Sequence, residues 1–519
     1  MTGLCRLCSG LVVMTLAAAG AAQAQGRGGG AWTTAGSDAQ RTSSVRTDPK
    51  ISSESMQKPG FQFLWKRKFD IPGAQVNLLT QPVLLPNIIA YKGFKALAFL
   101  GDSADNVYAL DYELNRMFWN QHLATASKAA RTAACPGGIT AVTKATAAGL
   151  PAPGGRGRGA GGAPGAAPQG PVMPGGRDAG DNVFAISSGG MVHLMNPQVG
   201  TDQIPPVKFL PANAKVVGSI LVDNVLYAAT TGNCGGAANG VWAVDLVSEG
   251  KAVTTFDTKG AGVAGAVAPT FGTDSTIYVA TGSGDSPVAN AVVSLAPKTL
   301  EQKDWFTAGT SPFTSAPIVF QHKGKDLIVA ANKDGRLYVL DSASLGGADH
   351  KTPLSMTSPV AGTAADVAGL ATWLDAAGTR WVLATTSGPL PADTKVAMNN
   401  GAVTSGAIVA FTLADTGDAP ALQPQWVSQD IAVPVTPAVI NGVVFAVASG
   451  QGGAQAAPAQ RSAPAVLSAL DGATGKQLWT SGTTITSSVR GIGPSGGDSQ
   501  VYVVTRDGTL YAFGMPAER

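Results

Sequence analysis

The sequence predicts an all-β fold: an eight-bladed β-propeller of four-stranded blades, closed by a strand from the N-terminal part of the chain. Three observations carry this reading: a motif that recurs at fixed offsets, a strand pair that repeats along the chain, and a last repeat without its outer strand. The motif reads "ALDGATGKQLW" at 469–479 and "ALDYELNRMFW" at 109–119. An Asp at a strand end accepts backbone N–H groups, and the Gly or Asn four residues on tolerates the positive φ of a tight turn. The Trp starts the next strand and covers the side of the neighbouring unit, where its burial stabilises by roughly 1.5–3 kcal/mol.

The repeated strand pairs follow in chain order. "ALAFLGDSADNVYALD" (96–111) and "NVFAISSGGMVHLMN" (182–196) turn tightly. "VLYAATTG…VWAVD" (225–245) and "TIYVATGS…AVVSL" (276–295) keep both strands but lengthen the turn. "DLIVAANKDGRLYVLD" (326–341) turns at Asp334-Gly335, a strong hairpin signal. "WVLATTSG…AIVAF" (381–411) and "VVFAVASG…AVLSALD" (443–471) lengthen the turn again, and "VYVVTRDGTLYAFG" (501–514) tightens it. Earlier strands such as "SAPIVF" (315–320) and later ones such as "DWFTA" (304–308) bring most units to four strands. Insertions aside, the spacing is roughly 45–50 residues, that of a propeller blade. The eighth unit ends at Arg519 without an outer strand. "FLWKRKF" (63–69), with Trp65, supplies it and removes the open edge. Seven blades is the alternative, if the irregular unit at 367–429 is a decoration.

Composition bounds the rest. Charged residues are 13% of the 519-residue chain and the net charge is +3, too little to imply nucleic acid or acidic lipid as a partner. Residues 1–24, with Arg6, an apolar run and a terminal "AQA", are expected to be a secretory signal peptide. No later run approaches the ~18 apolar residues of a membrane helix, so a periplasmic or secreted chain without a transmembrane segment is expected. Cys5 and Cys8 fall inside the signal. Cys135 and Cys234 remain, an even pair in an oxidising compartment. The propeller spans 61–519, behind a polar lead at 25–60 that is expected to be partly disordered and dispensable for stability up to residue 55. The Gly/Pro/Arg-rich insertion at 145–181 cannot bury a core and is expected to be disordered. Its Arg156, Arg158 and Arg177 resemble RNA-binding Arg-Gly tracts, but export favours a plain flexible loop.

The motif A-L-D-x-x-T-G-x-x-x-W resembles the repeat signature of PQQ-type propellers, which include quinoprotein alcohol dehydrogenases and the propeller lipoprotein of outer-membrane assembly. "AWTTAGSDAQRTSS" (31–44) is similar to the lead-in of the dehydrogenases, with Trp32, Gly36, Asp38 and Arg41 in register. For an enzyme, the resemblance implies PQQ in the axial funnel, calcium held by Glu, Asn and Asp, an Asp base and often a pair of adjacent cysteines. This chain has no adjacent cysteines outside the signal and no acidic cluster that matches the ligand set. It also lacks C-x-x-C-H, so no c-type haem is attached.

Other chemistry is sparse. His122, His193, His322 and His350 show no metal-ligand spacing. "GRGGG" (26–30) lacks the Lys-Ser/Thr of a phosphate loop. No catalytic or metal residue is therefore assigned. Trp373, in "LATWLD", falls on an innermost strand and is a candidate either to stack on a ligand in the funnel or to pack between blades. The long turns at 232–240, 283–290, 388–406 and 450–464 all join second to third strands and crowd one face, together with the links between blades. Cys135 lies in such a link and Cys234 in such a turn, on neighbouring blades, so a disulfide Cys135–Cys234 is expected. The first functional expectation is a monomeric binding or assembly scaffold that uses the loop-rich face, with no cofactor and a protein or small molecule as partner. The alternative is a PQQ-dependent dehydrogenase of small alcohols or sugars, with PQQ and calcium. An acidic cluster beside a Trp floor at the axis favours the enzyme; an apolar or basic axis favours the scaffold.

Overall fold

A computed structural model describes residues 32–516, apart from 72–77, 91–92, 124–131, 133–134, 136–140, 147, 149–181, 363–365, 418 and 452–462. The signal segment and most of the insertion at 145–181 lie outside the described residues. Eight sheets of four or five strands make the eight blades, and no α-helix occurs among the described residues. The blades span 83–122, 142–208, 216–257, 270–307, 318–356, 367–427 and 438–480, and the eighth joins 495–514 to Gln62–Lys68. The unit at 367–427 is a full blade, which excludes the seven-bladed alternative. Its long turn even adds a fifth strand, Met398–Asn399, parallel to Ala419–Val427.

The closing strand is where the missing eighth outer strand requires it. Gln62–Lys68 pairs antiparallel with Thr509–Gly514, in the register Phe63↔Phe513 and Lys68↔Thr509. It covers the edge of Thr509–Gly514 and gives the last blade its fourth strand. Trp65 then reaches across to the first blade and donates its indole N–H to the Tyr112 carbonyl at 3.0 Å.

That bond recurs and explains the motif. Trp119 donates to the Pro197 carbonyl at 2.8 Å and Trp426 to the Gly472 carbonyl at 2.9 Å. In each case the acceptor directly follows the Asp or Asn that ends the third strand or its run in the next blade: Asp111, Asn196 and Asp471. Asp471 in turn caps its own bend, with Oδ1 accepting the N–H groups of Ala473 and Thr474 and the Thr474 hydroxyl. The Asp therefore shapes the turn on which the preceding blade's Trp docks.

The described part of the lead, from Trp32 on, winds around the propeller axis. Its backbone carbonyls accept N–H groups from the innermost strands of six blades: Trp32 from Leu84, Thr33 from Lys144, Ala39 from Phe271, Gln40 from Val319, Thr42 from Thr372 and Ser43 from Val439. Ser44–Val45 then adds a parallel strand to Ala438–Ile440. Ile51 and Met56 are buried with Phe61 and Trp479 in the same core. Short Thr, Ser and Gln side chains suit a segment that exchanges backbone hydrogen bonds with a ring of strand starts.

A candidate binding funnel at the axis

Each blade presents the start of its innermost strand to the axis, and these starts are small or apolar: Ala141, Gly218, Ala266, Ala316, Ala368 and Gly493 among them. Small residues are required because the inner ends of neighbouring blades crowd together here. A Cβ on Gly218 would fall 2.2 Å from the Ala268 carbonyl oxygen, and one on Gly493 would fall 2.0 Å from that of Thr436. Above the lead lie two connected spaces. The inner one, about 50 Å³, has Gly36, Arg41 and Ser43 of the lead in its wall. The outer one, about 280 Å³, opens on the face of the links and second-to-third turns; Thr80, Val217, Ala266, Gly491 and Ile492 line both.

The charge in this funnel has one sign. Lys215, Arg490 and Arg506 line the outer space, and no Asp or Glu is among its described lining residues. Burial pushes the Arg490 guanidinium below its ordinary value, and the charge of Arg506 adds to this. Arg41, 1% exposed, stands in the wall of the inner space. Its Nε donates to the Pro269 carbonyl at 2.9 Å and its Nη1 to Thr34 Oγ1 at 3.0 Å, but Nη2 has no partner. Burial lowers Arg41 to about 9, against the opposing charge of Asp38. Asp38 is itself raised by burial, and its oxygens are taken by the Thr42 N–H and hydroxyl. Gln81 fastens the lead, accepting from Trp32 Nε1 and the Gly36 N–H and donating to the Gly493 and Pro494 carbonyls.

Trp373 is absent from this wall. It does sit on an innermost strand, Val367–Leu374, but Ala368, Gly369 and Leu370 of that strand line the funnel. The Trp373 ring stacks on Trp381, centroids 5.3 Å apart and planes within 10°, in a core shared with Val444 and Leu470 of the next blade. It packs blade on blade. The four histidines are scattered: His122 pairs with Asn106, His193 with Asp202, His322 with Asp415 and His350 with Asp304. Among the described residues no three His, Cys, Asp or Glu side chains are grouped to hold a metal. Cys135 and Cys234 are joined in a disulfide, Cα atoms 5.5 Å apart. Arg41, Arg490 and Arg506 escaped the sequence reading as a group. Arg41 was visible only as a lead-in residue, and nothing local in sequence shows that three blades and the lead converge.

Among the described residues the funnel lining carries no Asp, Glu or Asn to hold a metal, so these residues do not fit a calcium–quinone pair. Comparison with protein families and with curated proteins finds no match. Among solved structures the chain is similar to a europium-containing methanol dehydrogenase, at 13% identity and a TM-score of 0.58, covering 94% of this chain and 98% of that one. It is also similar to a quinohemoprotein alcohol dehydrogenase from Pseudomonas putida HK5, at 12% identity and a TM-score of 0.58, covering 94% and 81%. The corresponding enzyme from Comamonas testosteroni gives 14% identity and a TM-score of 0.52, again covering 94% and 81%. At such identities the likeness speaks for the fold alone: this chain is an eight-bladed propeller of the quinoprotein-like fold.

Proposed function

We propose that the protein is an exported, non-catalytic binding module that takes its ligand or partner on the loop-rich face, at the mouth of the axial funnel. The observation that carries this is the funnel lining: mostly apolar walls, cationic ends and, among the described residues, no carboxylate to serve as base or metal ligand. No described helix is long and apolar enough to cross a membrane. The Cys135–Cys234 bond suits an oxidising compartment, which supports export to the periplasm or beyond. The second reading, a PQQ-dependent dehydrogenase, is favoured by the fold shared with quinoprotein dehydrogenases. Purified protein incubated with PQQ and calcium, then assayed for dye reduction with a panel of small alcohols and sugars, separates the two. The binding reading expects no turnover; alcohol-dependent dye reduction overturns it.

A further inference from the structure

The funnel also carries information about what it binds. Four cationic side chains from different parts of the chain line the two adjoining spaces, Arg41 the inner one and the other three the outer. Arg41 comes from the lead, Lys215 from the link before the third blade, Arg490 from the link before the eighth, and Arg506 from that blade's second-to-third turn. None of Lys215, Arg490 and Arg506 has a side-chain hydrogen bond or ion pair among the described residues. By contrast, exposed lysines elsewhere, such as Lys58, Lys68, Lys298 and Lys323, pair with carboxylates. Like charges held close without a counter-ion are unfavourable, and a buried guanidinium nitrogen without an acceptor is more so. Arg41 supplies such a nitrogen in the inner wall, 1% exposed and with Nη2 unpaired.

Between these two cationic levels the wall is mostly apolar: Val217, Ala266 and Ile492 border both spaces, with Gly491 and Thr80 beside them. Inorganic anions have no use for such a collar, and neutral apolar molecules have none for the guanidinium groups at its ends. We propose that the axial funnel is a binding site for a small amphipathic dicarboxylate. One carboxylate lies towards Arg41, the apolar body against Val217, Ala266 and Ile492, and the second carboxylate among Lys215, Arg490 and Arg506. This rests on the binding-module reading. Guanidinium groups suit the role because they meet a carboxylate with two parallel N–H donors.

Calorimetry on the purified protein at low ionic strength tests it. The probes are naphthalene-2,6-dicarboxylate, biphenyl-4,4′-dicarboxylate and azelate; naphthalene-2,6-dicarboxylate dimethyl ester and inorganic phosphate are the controls. At least one dicarboxylate binds saturably at one site per chain, and neither control matches it. The double variant R490Q/R506Q, altered only at the funnel mouth, keeps its melting temperature and binds that dicarboxylate about tenfold more weakly or worse, the loss of a charge-assisted contact. R41K, which keeps the charge but not the Nη2 donor, weakens binding too. The proposal is overturned if no dicarboxylate binds the folded parent, or if the mouth variant binds as the parent does. Dye reduction in the PQQ assay is a separate result: it ends the non-catalytic reading whether or not a dicarboxylate binds.

Discussion

Gly475 lies directly beneath Trp426. A Cβ built on Gly475 would fall 2.4 Å from Cε3 of that indole, although the two residues belong to adjacent blades. Gly475 also has φ +73°, a conformation that side chains with a Cβ adopt at a cost. The same arrangement recurs at Gly200, where a Cβ would meet Trp119 at 2.7 Å. The glycine of the repeat motif thus answers to two demands at once, the turn and the neighbour's ring. Asn115 holds the equivalent place in the first blade at φ +48°, and there Arg67 bonds its side chain instead of a Trp lying on it.

The first prediction follows from that contact. Gly475→Ala should lower unfolding stability by roughly 1–3 kcal/mol, combining backbone strain with a displaced Trp426. Gly250→Ala is the control, since nothing lies within 4 Å of its Cβ position. Urea unfolding of the two variants should show a shifted midpoint for the first and none for the second.

A second prediction concerns pH. Asp415, at the end of Gly406–Thr416, pairs with Lys323 at 2.8 Å and His322 at 3.0 Å from the preceding blade. Lys323, then His322, hold its carboxyl below the ordinary value of 3.8. A carboxyl lowered in the folded state adds stability that is complete above the unfolded value and fades as pH falls through the folded one. The pair is exposed, so the effect is small. Asp415→Asn should melt slightly below the parent at pH 7, and the two curves should merge as the pH drops well below 3.8. A gap that persists in acid would assign the loss to packing instead.

The disulfide gives a third. Cys135 and Cys234 are 99 residues apart in sequence, and the chain-entropy account allows up to roughly 4–5 kcal/mol for a loop of that size. Alkylation before reduction, followed by mass spectrometry, should find neither residue of the processed protein labelled. The C135S/C234S variant should unfold at a lower urea concentration than the parent.

The strand pattern was legible in sequence because the blades repeat the same local physics: apolar strands, a turn between the second and third, and in five of the eight a Trp on the fourth strand. The closing strand was legible as well, because the last repeat ended one strand short and a free edge needs a partner. The path of the lead was not. Its bonds run from backbone to backbone, to Leu84, Phe271, Val319 and Thr372, and leave no side-chain signature. The funnel suffered likewise. Trp373 drew notice because it is large, yet the wall is built largely of small residues where the inner ends of neighbouring blades crowd together, with guanidinium groups contributed from distant points of the chain.

The last prediction reverses the expectation that the lead could be trimmed to residue 55 without cost. Deleting residues 25–72 removes the outer strand of the eighth blade, with its pairing to Thr509–Gly514 and the Trp65 bond to the first blade. Deleting only 25–55 keeps that strand. It takes away the fully buried Trp32, Arg41 and Ile51, and leaves the N–H groups of Leu84, Phe271, Val319, Thr372 and Val439 facing the emptied axis without their acceptors. Water can reach some of those groups through the funnel, but a hole along the axis also strips the apolar inner strands of their packing. Both truncations should therefore melt well below the processed protein, the longer deletion lower of the two. Differential scanning calorimetry of the three proteins decides the matter: a 25–55 deletion that melts with the parent would show that the axial segment rests in the propeller without supporting it.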